Sequence, residues 1–139
     1  SIPKKDLFSK NDLNLLDSFK NNYDELIKYI NNQDLNSYMN FIIEKLFAAN
    51  KYFNDEEPWK KKSDLPRLNT IVYVSLEAIR KISIMLYPVI PSSSLKVLDI
   101  LGIKEKEIKF KSILNHEVLP SNSKISKIDI LFKKIETND

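Results

Sequence analysis

Glycine is almost absent from this 139-residue chain, with Gly102 standing alone, where an average composition of about 7% would supply several. Tight antiparallel hairpins, phosphate-cradling loops and dinucleotide fingerprints need residues that tolerate positive φ or close backbone approach, so none of them can be built here. Cysteine is missing altogether, which removes disulfides and thiolate chemistry, and a single histidine, His116, cannot supply a His-rich zinc site. No run approaches the ~18 consecutive apolar residues of a membrane span, and the N-terminus lacks a charged-then-apolar signal pattern. These absences lead us to expect a cytoplasmic protein without membrane contact, with no catalytic residue, metal or cofactor in this segment. The chain opens on Ser1 and reads as a segment of something longer.

A concentrated basic face is lacking too. The 22 basic and 19 acidic residues divide evenly along the chain, which is not the footprint of a generic nucleic-acid binder. Any polyanionic partner has to be met locally. Only Arg67 and Arg80 are arginine, and Lys, Asn and Ile together make up 52 residues, a bias of the kind an AT-rich genome imposes.

What is present is helical patterning punctuated by proline at 3, 58, 66, 88, 91 and 120. Proline removes a donor and clashes with the preceding turn, so it marks helix boundaries. Ser9, with Asp12 three residues on, suits a reciprocal N-cap. Leu13, Leu16, Phe19, Tyr23, Leu26, Ile27 and Ile30 then recur at three and four, which predicts one amphipathic helix ending at Asn31-Asn32. Asp34 caps a second run through Leu35, Tyr38, Met39, Ile42, Leu46, Phe47, Ala49 and Phe53, roughly 30 Å long at ~1.5 Å per residue. A third helix follows Asp64 and Pro66 and ends at Pro88, with Pro66 in the favoured first turn. Ser92 or Ser93 is expected to start a fourth helix, closed by Gly102 in the left-handed cap position. Beyond it, Ile108-Lys109-Phe110 reads as extended, Asn115–Lys124 as loop, and Ile125–Ile135 as a short helix or strand. The fold class is therefore an all-α helix bundle, with a helical domain over 1–103 and an irregular extension over 104–139 packing on it.

The densest cluster of unusual residues runs from Asn50 to Lys62. It places the only tryptophan, Trp59, directly after Pro58 at an inter-helix junction, with Lys60, Lys61 and Lys62 behind it. An exposed indole there could stack on an unpaired base, and the lysines could meet phosphates, which makes an RNA loop the natural ligand. The competing reading, which pattern alone favours, has Trp59 filling the core with the lysines as solvated surface. Asn50 either pins the junction, the favoured role, or bonds the RNA. Asp55-Glu56-Glu57 reads as a charged helix end, His116 as a solvated loop histidine, and Arg80 either as a surface partner of Glu77 or Asp99 or as a contact to an RNA stem.

Asn50-x-Tyr52, Pro58-Trp59-Lys60, Arg80-Lys81-Ile82-x-Ile84-x-Leu86-x-Pro88-Val89-Ile90-Pro91 and Leu98-x-x-Leu101-Gly102, in that order, resemble the C-terminal region of bacterial methionyl-tRNA synthetase. The close Leu131-Phe132-Lys133-Lys134-Ile135 is similar to the Leu-Phe-Pro-Arg-Ile ending of many members, and the likeness spans roughly residues 2–135. The resemblance implies a helical bundle of the class I synthetase anticodon-binding type with the first family helix missing. It further implies that the corner lies against the tRNA anticodon loop, with Trp59 stacking on its first base and Pro58 shaping the turn. Its implied partners are methionine-specific tRNA and the catalytic domain of the same parent chain, an enzyme that attaches methionine to tRNA using ATP. The catalytic signatures and zinc-binding insertion of that enzyme are not in this segment, which on this reading is inactive alone. Two alternatives stand beside it: a helical protein-interaction or scaffold domain, and the anticodon-binding bundle of another class I aminoacyl-tRNA synthetase.

Overall fold

A computed structural model describes residues 5–120, and among these every regular element is helical. Five α-helices follow one another: α1 (Lys10–Asn21), α2 (Tyr23–Asn31), α3 (Leu35–Glu56), α4 (Leu65–Leu86) and α5 (Pro91–Ile100). Short 3-10 turns occupy Pro58–Lys60, Glu105–Glu107 and Phe110–Leu114.

The caps explain most of the boundaries. Ser9 and Asp12 close the capping box at the head of α1, the Ser9 N–H donating to Asp12 Oδ2 (2.8 Å) and the Asp12 N–H to Ser9 Oγ (3.2 Å). Asp34 accepts from the Ser37 N–H at the start of α3 (3.1 Å), and Asp64 accepts from the Arg67 N–H at the start of α4 (3.2 Å). At the end of α5 the Gly102 N–H donates to Asp99 O and the Ile103 N–H to Leu98 O, both at 2.9 Å. This paired closure requires a left-handed residue, and Gly102 adopts φ +78° at no steric cost.

Two expected boundaries are corrected. The unbroken apolar spacing from Leu13 to Ile30 is divided at Asn22, which closes α1 and opens α2 with φ −105° and ψ 13°. The buried Lys45 of α3 spans this break, its ammonium donating to Ser18 O (2.9 Å), one of the last carbonyls of α1, and to the Asn22 side chain at Oδ1 (3.1 Å). The start of α5 is Pro91, not Ser92 or Ser93, and Ile90 in the cap position supplies no side-chain bond. Proline needs no capping partner for its own nitrogen, so the helix can begin before the serines.

α4 is the central helix, packed against α1, α3, α5 and the Phe110–Leu114 turn. It buries Ile71, Val74, Leu76, Ala78, Ile84 and Met85 against Leu16 and Phe19 of α1, Ile42 of α3 and Leu98 of α5 in one continuous core. Ile113 and Leu119 enter the same core from the chain that follows α5. Of the expected extended stretch, Lys109 has that conformation (φ −135°, ψ 142°), but Phe110 already opens a 3-10 turn. Residues 115–120 are irregular, as expected, and are tied down: Tyr73 Oη donates to Leu119 O, and the Leu119 N–H donates to Glu77 Oε1 (2.9 Å). The expected element over Ile125–Ile135 and the motif Leu131–Ile135 lie outside the described residues.

Candidate nucleic-acid interface

The junction between α3 and α4 is built on a buried carboxylate. Asp12, fully enclosed near the head of α1, accepts from Tyr52 Oη of α3 (2.6 Å) and from both terminal nitrogens of Arg67 in α4 (2.7 and 2.9 Å). Arg67 also reaches Glu56, in the last turn of α3, at 3.0 Å. Burial alone would raise the Asp12 carboxyl, but the bonds from Arg67, Tyr52 and the Ser9 N–H outweigh it and hold the pKa below the ordinary range. The same burial, together with the Asp12 bond, drives the Tyr52 hydroxyl upward. Three helix ends are thus locked around one charge.

From this base the chain turns. Glu57 takes a left-handed conformation (φ 49°, ψ 59°) that stops α3, and Pro58, buried, opens the following 3-10 turn. That turn presents Trp59 outward with 51% of its surface exposed. The expectation that pattern favoured, a core tryptophan, is overturned because the left-handed residue and the short turn carry the indole past the end of the packed face. Its ring is braced edge-on by Phe53, the centroids 6.2 Å apart at 60°.

The neighbouring candidates divide by what they already hold. Lys60 pairs with Glu57 at 3.1 Å, Lys61 is half-buried, and Lys62 is exposed. Asn50 is exposed on α3 and, among the described residues, its side chain makes no hydrogen bond, so the expected role of pinning the junction is corrected. The acidic run closes α3 and precedes the turn at Pro58, as expected, with each acid separately paired: Asp55 with Lys51 (2.8 Å), Glu56 with Arg67 and Glu57 with Lys60.

Arg80 and His116 are also corrected. Arg80 is not at the surface but fully buried, with Nε on Glu77 (2.7 Å) and its terminal nitrogens on the carbonyls of Ser112 (3.0 Å) and Asn115 (2.7 Å). His116 is half-buried between Asp17 and Lys81. Among the described residues no group of three or more His, Cys, Asp or Glu side chains is placed to hold a metal ion, and no helix is long and apolar enough to cross a membrane.

The residues that position the corner, Arg67 and Asp12, escaped sequence reasoning, Asp12 having been read only as a capping partner. Their partnership spans 55 positions. A local signal did exist, since Tyr52 of the Asn-x-Tyr motif is the third member of the same set.

A family model of the anticodon binding domain of methionyl tRNA ligase matches residues 2–139. A methionine–tRNA ligase of Rickettsia conorii is 38% identical over 104 residues, covering 74% of this chain and 20% of the relative. A methionine–tRNA ligase of Pyrococcus horikoshii is 30% identical over 136 residues, covering 96% of this chain and 18% of the relative. The crystal structure of Mycobacterium tuberculosis methionyl-tRNA synthetase bound by methionyl-adenylate superimposes with a TM-score of 0.78 at 26% identity, covering 89% of this chain and 26% of that one. The chain spans about a fifth of the length of these curated relatives. Matched over residues 2–139 by that model, and with relatives of this identity, the chain belongs to the family of anticodon-binding domains of methionyl-tRNA ligase.

Proposed function

We propose that this domain binds the anticodon arm of methionine-specific tRNA at the α3–α4 corner, Trp59 offering its exposed face to an unpaired base of the loop. The half-exposed indole carries the reading. A tryptophan held out by a buried proline and steadied by Phe53 loses little freedom on stacking, whereas a mobile side chain would have to be ordered first. Lys62 is the first choice for a phosphate contact and Lys61 the second, because Lys60 would have to leave Glu57. Asn50, exposed in the last turns of α3 and without a side-chain hydrogen bond among the described residues, is available to bond a base edge or the RNA backbone. Joining methionine to tRNA with ATP would fall to a catalytic domain elsewhere in a longer, cytoplasmic ligase chain; we assign this domain recognition alone, with no cofactor of its own.

Base stacking on an aromatic side chain contributes about 1–3 kcal/mol. Replacing Trp59 by Ala should therefore weaken binding of a methionine tRNA anticodon stem-loop by about 5- to 150-fold in a filter-binding titration. Affinity unchanged in Trp59→Ala, with the helical spectrum intact, would remove the indole from the interface.

A further inference from the structure

A second polar cluster lies further along α1 and α4 from the corner's network and takes no part in the proposed RNA contact. Lys81 sits on α4 with none of its surface exposed. Its ammonium has three N–H groups and meets three acceptors: Ile113 O, Asn115 O at 2.7 Å and His116 Nδ1 at 3.1 Å. Nδ1 must accept from the ammonium, so the imidazole proton is on Nε2, which donates to Asp17 Oδ1 of α1 at 2.8 Å. Arg80, one residue before, holds the carbonyls of Ser112 and Asn115, and Glu77 takes the Leu119 N–H. Residues 112–119 are thus fastened to the helices largely by charged groups, with Ile113 and Leu119 as their fully buried apolar anchors.

We propose that Lys81, His116 and Asp17 form a proton-controlled latch, which holds residues 112–119 against α1 and α4 while His116 is neutral and loosens them when His116 takes up a proton. A second proton on the imidazole would point an N–H at an ammonium 3.1 Å away. The charged groups around the pair do not cancel that contact. Asp17 from α1 is already bonded to the far side of the ring, Glu77 on α4 is held by Arg80, Arg80 is a further cation, and Glu117 in the segment itself is paired with Lys5 at 2.6 Å. The Phe19 ring of α1, 5.9 Å from the Lys81 nitrogen, supplies only a weak attraction for the cation.

The titrations run in one direction. Burial, with Lys81 adding to it and Asp17 opposing, holds the His116 pKa below its ordinary value. The latch is then at full strength above about 6.5 and weakens as pH falls through the depressed folded value. Lys81, pushed down to about 7 by burial and then by Arg80, is an ammonium below that value, so a ring that gains its second proton does so against a cation. Acid therefore loosens residues 112–119 without touching the α3–α4 corner.

Because His116 is the only histidine in the chain, its ring proton gives a single resonance to follow by NMR. The latch requires a midpoint below the ordinary value of about 6.5, rising by about half a unit or more in Lys81→Met. It also requires amide exchange in 112–119, corrected for intrinsic pH dependence, to speed up about tenfold between pH 7.5 and 5.5 while α3 and α4 stay protected. Since burying methionine could unsettle the fold, His116→Gln is the second variant: it cannot charge, so the rise in exchange of 112–119 below about pH 6.5 should vanish, leaving only the change near 7 that Lys81 brings. Corrected exchange that ignores pH in the parent chain, or that responds equally in His116→Gln, overturns the latch.

Discussion

Replacing Arg67 by Met tests the account of how the corner is held. The change removes both guanidinium bonds to Asp12 and the contact to Glu56, leaving the fully buried carboxylate with only Tyr52 Oη and the Ser9 N–H. Removing one partner of a buried pair costs about 3–5 kcal/mol, because the remaining charge is enclosed without compensation. Arg67 keeps 21% of its side chain exposed, so water can partly replace it, and the lower end, about 3 kcal/mol, applies. Urea unfolding followed by far-UV dichroism and by Trp59 emission would read this as a fall in midpoint at constant slope. The double variant Asp12→Asn/Arg67→Met removes the stranded charge and should be less destabilised than the sum of the singles by about 1–2 kcal/mol. The acid limb should move as well. In the parent chain the Asp12 contribution is complete above the ordinary carboxyl pKa and is lost as pH falls through the depressed folded value, whereas in Arg67→Met burial is opposed by fewer bonds, the folded value lies closer to the ordinary one, and less stability is left to lose in acid. A cost below about 1 kcal/mol for Arg67→Met, or strict additivity in the double variant, would refute the network.

Two further substitutions check other parts of the fold. Gly102→Ala places a Cβ in open space but at φ +78°, so it should cost about 1–2 kcal/mol through backbone strain alone, read by thermal unfolding. Ser94→Ala should instead stabilise the chain by about 1 kcal/mol in urea, because Ser94 Oγ is buried without a hydrogen-bond partner among the described residues.

Helix positions were largely legible because their signals are local. Ser9 with Asp12, Asp34, Asp64 with Pro66, and Gly102 each act within a few residues of the boundary they set. The break at Asn22 was hidden, since the residue that stabilises it, Lys45, lies 23 positions away on another helix. The Glu77 partner of Arg80 was legible at three residues, but its burial was not, because the other groups it holds are backbone carbonyls more than 30 residues later, and a carbonyl leaves no mark in the sequence. The corner itself was visible as a composition, proline then tryptophan then lysines. Whether the indole turned inward or outward depended on Glu57 adopting a left-handed conformation, which its residue type does not announce.

The central claim, that the exposed face of Trp59 receives a base of the anticodon loop, is tested most directly by the emission of that single tryptophan during titration with a methionine tRNA anticodon stem-loop. Stacking predicts saturable quenching that is lost when the loop bases are replaced by abasic sites. Emission that does not change while the RNA binds, or equal quenching by the abasic loop, would contradict it.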